Sequence, residues 1–182
     1  MIHYLEILLI GIALSMDALA VSLTMSMLEG KNLTSGKIGL IALFFGSFQA
    51  FMPLIGWFGC NLLGDFVTKY GYIPATLLLI GIGGKMIWDR GKTEKVEFSL
   101  WKLTLLAFAT SIDALLVGVS FACLGRTAIY PDVTLIGITT VLISTGGCFA
   151  GRYFSHHINT AHSELIGGLV LIGIGIKTFI FH

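Results

Sequence analysis

Six apolar segments, separated by short polar breaks, account for most of the 182 residues. They run over 5–28, 38–63, 74–88, 100–124, 133–151 and 165–181. A helix needs about 20 apolar residues to cross the hydrocarbon core of a bilayer, so six such helices with short connections use up the chain. The pattern therefore predicts an all-α integral membrane protein with about six transmembrane helices. All of residues 1–182 are expected to form a single transmembrane domain.

The charge content agrees with a lipid environment. Only 12% of the residues are charged, compared with about 25% in a typical soluble domain, and 55% are hydrophobic. So few charged groups cannot cover a water-facing surface. The formal net charge of +1 comes without a basic patch or tail, so nucleic-acid binding is not expected.

The positive residues predict an orientation. With six spans, the breaks alternate between the two sides of the membrane. The first, third and fifth breaks carry Lys31, Lys37, Arg90, Lys92, Lys95 and Arg152. The second and fourth breaks carry only Lys69 and Arg126. Because Lys and Arg favour the cytoplasmic side, both termini are predicted to lie outside.

The two halves of the chain repeat each other. The sequence SMDALAV at 15–21 matches SIDALLV at 111–117, and LLLIGIGGK at 77–85 matches LVLIGIGIK at 169–177. The second and fifth segments match less clearly, and the sequence does not align them in one register. Repeat one covers about 1–92 and repeat two about 97–182. Because each holds three spans, the second copy is reversed in the membrane, which is the inverted-repeat plan of many secondary transporters.

Each repeat carries an acid inside an apolar segment. Asp17 and Asp113 occupy the same position in the repeated motif. An ionised Asp near the bilayer centre costs at least about 2.5–3.5 kcal/mol, so such residues usually serve a function. Inverted symmetry can bring both to one central cavity. Lys85 and Lys177 are possible partners, or they extend from helix ends to the membrane surface.

Two carboxylates and nearby neutral oxygens are a ligand set for a hard divalent cation. Carboxylate, carbonyl and water ligands suit magnesium, calcium and manganese. The candidate ligands are Asp17, Asp113, Ser15, Thr110, Ser111 and Gln49. Gln49 also lies four residues before Pro53, which cannot donate a hydrogen bond to the Gln49 carbonyl. His156, His157 and His162 lie in a predicted cytoplasmic break, and the sequence leaves their role open.

Four motifs together resemble the MntP family of bacterial manganese efflux pumps. They are SMDA at 15–18, FGxxQxxxPLIGW at 45–57, ATSIDA at 109–114 and GGLVLIGIG at 167–175. The resemblance covers nearly the whole chain, in order. It implies a six-helix exporter in the cytoplasmic (inner) membrane of a bacterium, with functional acids at Asp17 and Asp113. Some members have Glu where this chain has Gln49.

The sequence favours a secondary exporter and not an enzyme. No GxxxxGK[ST] motif for ATP binding occurs and no cofactor is expected, since manganese is the substrate. Protons are the expected coupling ion because they compete with a metal for the same carboxylates. Two alternatives remain: an exporter of another solute such as a cationic amino acid, or an intramembrane aspartyl protease. The oligomeric state stays open.

Overall fold

The computed structural model describes residues 2–70, 72–88, 99–155 and 160–180, and this part of the chain contains no strand. Its helices are α1 (Ile2–Glu29), α2 (Ser35–Tyr70), α3 (Tyr72–Trp88), α4 (Leu100–Thr110), α5 (Ile112–Cys123), α6 (Ile129–Ser155) and α7 (Thr160–Ile180). A 3-10 turn, Gly30–Asn32, joins α1 to α2. All six predicted segments are therefore helical, and the fourth segment is divided into α4 and α5.

Four stretches of the described chain are long and apolar enough to cross a membrane: His3–Glu29, Ser35–Cys60, Leu100–Ala122 and Ile129–Ser155. Many large apolar side chains on these stretches point outward, among them Leu9, Leu43, Phe51, Phe58, Leu142 and Phe149. Several polar side chains are instead buried, among them Ser15, Ser22, Gln49, Thr140 and Ser144. An apolar exterior around a partly polar interior is expected for a protein whose solvent is lipid, so the chain is a multi-pass membrane protein.

Three predicted breaks are wrong in their positions. In the fifth, residues 152–155 belong to α6 and residues 160–164, with the backbone of His162, belong to α7. Helix α2 continues to Tyr70, so Asp65 and Lys69 lie within a helix and not in a break. A charged residue does not prevent a helix, because its backbone still makes the i to i−4 hydrogen bond. Pro131 and Asp132 lie in the first turn of α6, where proline is well tolerated and an acid interacts favourably with the helix dipole.

Helices from the two halves of the chain pack against each other. Helix α1 lies against α6, α2 against α5 and α6, and α3 against α7, with a smaller contact between α1 and α7. Glycines allow the closest approaches. A Cβ at Gly118 of α5 would overlap the backbone of Pro53 in α2, and a Cβ at Gly151 of α6 would overlap the Leu23 carbonyl in α1. Close backbone contact at small residues is the usual means of joining membrane helices.

An ion-pair cluster joins the start of α1 to the start of α6. His3 Nε2 donates to Asp132 Oδ1 at 2.9 Å, and Arg126 Nη2 donates to Glu6 Oε1 at 2.6 Å. Arg126 Nη1 also lies 3.6 Å from Asp132 Oδ2. Asp132 is almost fully buried, so these partners offset the cost of burying its charge. The cluster fixes the position of α1 along its axis relative to α6.

Some predicted features lie outside the described residues. The polar central loop at 89–97 is one, and His156 and His157 are others. The backbone of His162 belongs to α7, but its side chain and that of Lys85 are not among those described.

Candidate metal-transport site

Asp17 lies near the middle of α1, which is unbroken from Ile2 to Glu29. Its side chain is 15% exposed. Lys177, in the last turn of α7, places its Nζ 3.1 Å from Asp17 Oδ1 and 3.4 Å from Oδ2. One of the two lysines named as possible partners therefore pairs with an intramembrane aspartate.

Asp113 lies in a different backbone environment. The helix is interrupted at Ser111, whose φ of −107° and ψ of 6° lie outside the helical range. Asp113 is consequently in the first turn of α5, and its Oδ1 accepts a hydrogen bond from the Ala114 N–H at 2.8 Å. Free N–H groups and the helix dipole favour an anion at this end of a helix. Within the described part of the chain, Asp113 forms no ion pair.

The two carboxylates and the lysine form one charge cluster. Asp113 interacts electrostatically with both Asp17 and Lys177, although α5 and α1 are far apart in sequence. That Asp17 and Asp113 share one metal site stays a prediction.

Gln49 reaches from α2 to α1. Its side chain is 1% exposed, and its Nε2 donates to the Leu14 carbonyl at 2.7 Å, one turn before Asp17 on α1. Pro53 lies within α2 and cannot donate to the backbone carbonyl of Gln49. The backbone carbonyl of Gln49 therefore lacks the N–H donor that it would have in a regular helix. The Gln49 side chain is bonded to α1, the helix that carries Asp17.

The three candidate hydroxyls are buried and bonded within their own helices. Ser15 Oγ donates to the Ile12 carbonyl at 3.0 Å, Thr110 Oγ1 to Leu106 at 2.9 Å, and Ser111 Oγ to Ala107 at 2.7 Å. Thr110 Oγ1 also approaches the Ala107 carbonyl, at 3.3 Å, so both of these hydroxyls donate to a carbonyl in the last turn of α4, where helical acceptors lack backbone partners. A hydroxyl oxygen that donates keeps its lone pairs, so each can still face a cation.

Two glycines mark where α2 and α6 approach each other most closely. A Cβ at Gly46 would lie 2.9 Å from the Gly137 carbonyl oxygen, and a Cβ at Gly137 would lie 3.1 Å from that of Gly46. Ten residues further along each helix, Gly56 packs on the Leu115 carbonyl and Gly147 on the Leu19 carbonyl.

If these contacts are used to align the second segment with the fifth, Gln49 gains a possible counterpart that the sequence analysis does not name. Leu19 and Leu115 occupy the same position in the repeated motif, so the two glycine contacts correspond. Gln49, three residues after Gly46, then corresponds to Thr140, three residues after Gly137. Thr140 is fully buried, and its Oγ1 donates to the Ile136 carbonyl at 3.0 Å. The paired glycines were the sequence signal that pointed to it.

No group of three or more His, Cys, Asp or Glu side chains able to hold a metal occurs among the described residues. A metal at Asp17 and Asp113 would therefore complete its coordination with neutral oxygens or water. A transported ion has to leave its site again, so a sparse ligand set is appropriate.

The Mntp family model, described as "Putative manganese efflux pump", matches residues 32–179. This chain belongs to the Mntp family. Membership in a family of efflux pumps makes the chain a transporter and not an enzyme, which removes the aspartyl protease alternative.

Similar relatives match over almost their full length and bear the same description. One from Methanosarcina mazei is 42% identical, with 96% of this chain and 94% of the relative covered. Others from Acetivibrio thermocellus and Parabacteroides distasonis are 42% and 41% identical, with 98% of this chain and 91% and 97% of those proteins covered. No solved structure matches this chain.

Proposed function

We propose that this chain is a secondary exporter that moves divalent manganese out of the cytoplasm, with Asp17 and Asp113 as the charged ligands of one metal ion. Family membership supports manganese as the substrate. The observation that carries the site is that Asp17, inside a membrane-spanning helix, forms an ion pair with Lys177, while Asp113 holds the matching position of the repeated motif. Together they balance the charge of one divalent ion.

Neutral oxygens complete the proposed site. Gln49 is the strongest candidate, because it is buried and bonded to α1 one turn before Asp17. The hydroxyls of Ser15, Thr110 and Ser111 are the other members of the proposed ligand set. Oxygen ligands of this kind suit manganese better than copper or zinc, which prefer softer ligands.

The proposed architecture is a pair of inverted three-helix repeats. Repeat one contains α1 to α3, and repeat two contains α4 to α7, with α4 and α5 acting as one interrupted span. Reciprocal contact between Gly46 and Gly137 supports a two-fold relation, because each glycine meets the carbonyl of the other. The corresponding contacts of Gly56 and Gly147 support it further. In such transporters the substrate site lies where the repeats meet.

Proton entry is the proposed driving force. Export of a divalent cation against an inside-negative potential costs about 4.6 kcal/mol per 100 mV, from about 2.3 kcal/mol per charge. Protons compete with the metal for the same carboxylates and can displace it on the outer side. The proposed location is the cytoplasmic (inner) membrane of a bacterium, with both termini outside, because the break that contains Lys37 is richer in positive charge than the one that contains Arg126.

Manganese retention in cells that lack their own exporter tests this function. The wild type, Asp17→Asn and Asp113→Asn are compared after membrane insertion of each is verified. We expect the wild type to lower cell manganese and both variants to fail. Equal export by all three would place the site elsewhere. If none changes cell manganese, the substrate assignment is wrong and an exporter of another solute, such as a cationic amino acid, becomes the leading alternative.

A further inference from the structure

Lys177 forms an ion pair with the Asp17 carboxylate, which the proposed function assigns to the metal. Its Nζ contacts both oxygens of Asp17, at 3.1 and 3.4 Å. A metal ion that bound this carboxylate would need the same oxygens. The ammonium and the metal therefore compete for one position.

The pair is not in a sealed core. The Lys177 side chain is 56% exposed, whereas that of Asp17 is 15% exposed. A charged lysine that faced lipid within the membrane would cost several kcal/mol, so we expect water beside the exposed part of Lys177. A flexible four-carbon side chain beside water can leave the carboxylate without entering hydrocarbon.

Charge balance indicates that a bound metal ion would displace Lys177 from Asp17. Asp17 and Asp113 together carry two negative charges, and Lys177 offsets one of them when it is paired. A divalent ion offsets both, and Asp113 interacts with Lys177 as well as with Asp17. Metal and lysine together would leave an excess positive charge beside Asp17, so binding of one disfavours the other.

We propose that Lys177 is a tethered cation that occupies Asp17 when no metal is bound, and that manganese must displace it to bind. The inference rests on the proposed function, because it requires Asp17 to be a metal ligand. Return of the lysine would then help to empty the site. Lys177 is a positioning residue in this account and does not itself bind the metal.

A simpler role predicts a different outcome. Lys177 could serve only to neutralise a buried acid and to interact with the carboxyl end of α7, where a positive charge is favourable. In that case its removal would leave manganese affinity unchanged, or weaken it by disturbing Asp17. A tethered cation predicts the opposite sign, because removal of a competitor tightens metal binding.

Manganese affinity of the purified, reconstituted protein separates the two roles. Free manganese is measured by its electron paramagnetic resonance signal during titration of the wild type, Lys177→Gln and Lys177→Arg. Lys102→Gln is the matched control, because Lys102 is an exposed lysine near the start of α4. If Lys177 is paired with Asp17 for about nine-tenths of the time in the wild type, removal of the Lys177 ammonium tightens the apparent Kd for manganese by about tenfold.

We expect Lys177→Gln to bind manganese about tenfold more tightly than the wild type, by the same occupancy argument. Lys177→Arg and Lys102→Gln should stay close to the wild type. A folded Lys177→Gln protein with unchanged or weaker affinity overturns the inference.

A second measurement uses the unaltered protein and decides the matter if Lys177→Gln does not fold. Acylation of lysines by an amine-reactive reagent is followed by mass spectrometry, with and without manganese. Displacement predicts faster acylation of Lys177 when manganese is present and an unchanged rate at Lys102. An unchanged or slower rate at Lys177 contradicts the proposal.

Failure of this inference is distinguishable from failure of the proposed function. If the wild type binds no manganese, or Asp17→Asn binds it equally well, the proposed metal site is wrong. If the wild type binds it, Asp17→Asn does not, and Lys177→Gln equals the wild type, only the tethered-cation role is lost.

Discussion

The segments around Asp17 and Asp113 share a seven-residue motif, but they adopt different structures. Asp17 lies inside the unbroken helix α1 and is paired with Lys177. Asp113 lies just after a helix interruption at Ser111 and accepts a backbone hydrogen bond from Ala114. One acid is stabilised by a side-chain cation, and the other by the amino end of a helix.

This difference in structure leads us to expect unequal roles for the two acids. A lysine that binds a carboxylate can be exchanged for another cation, whereas the backbone N–H groups of a helix end cannot leave. We therefore expect Asp17 to be the acid at which competing cations exchange, and Asp113 to be a more constant part of the site. The following predictions compare matched positions in the two repeats.

Replacement of closely packed glycines should produce the largest losses of stability. A Cβ at Gly56 would overlap the Leu115 carbonyl, and a Cβ at Gly147 would lie 2.8 Å from that of Leu19. We expect Gly56→Ala and Gly147→Ala each to destabilise the protein by about 1–3 kcal/mol and to lower its apparent Tm in detergent. Gly146→Ala is the control, because nothing lies within 4 Å of its Cβ position. Tolerance of alanine at only one of the first two sites would break the proposed correspondence.

Gln49 and its counterpart Thr140 should differ in their effect on manganese affinity. Gln49 bonds across to α1, whereas the Thr140 hydroxyl bonds within α6. One net hydrogen bond of about 0.5–1.5 kcal/mol corresponds to about a two- to twelvefold change. We expect Gln49→Leu to weaken manganese binding by an amount near the top of this range, measured by titration. Thr140→Val should change it little, and equal losses at both positions would show that the two repeats contribute alike.

Loss of the serine hydroxyls should have the smallest effects. Ser111 Oγ bonds to the Ala107 carbonyl at the interruption, whereas Ser15 Oγ bonds within a continuous helix. Alanine favours a continuous helix, so Ser111→Ala should shift Asp113 and slow export by about two- to fivefold, near the lower end of the range for one hydrogen bond. Ser15→Ala should have a weaker effect in the same proteoliposome assay. A larger loss from Ser15→Ala would contradict the role given to the interruption.

The helices and the two acids were predictable from sequence for clear physical reasons. Long apolar segments can satisfy their backbone groups in lipid only as helices or closed barrels, and these segments have the length of helices. A charge within such a segment is costly, so Asp17 and Asp113 stood out without structural information.

Other features depended on tertiary contacts. The motifs at 15–21 and 111–117 are almost identical, so nothing local predicted that only the second would be interrupted at Ser111. The Asp17–Lys177 pair requires the relative height of α1 and α7, which a sequence does not contain. The sequence predicts too early an end for α2, because the polar residues Asp65 and Lys69 resemble a break although their backbone is helical.

The measurement that tests the central claim most directly is a manganese titration of the wild type, Asp17→Asn, Asp113→Asn and the double variant. If both carboxylates hold the same ion, the wild type binds a single manganese ion per chain and each single variant loses most of that affinity. The double variant is then little worse than either single one, because the two residues act as a unit. Unchanged binding in either single variant, or independent and additive losses, would contradict a shared site.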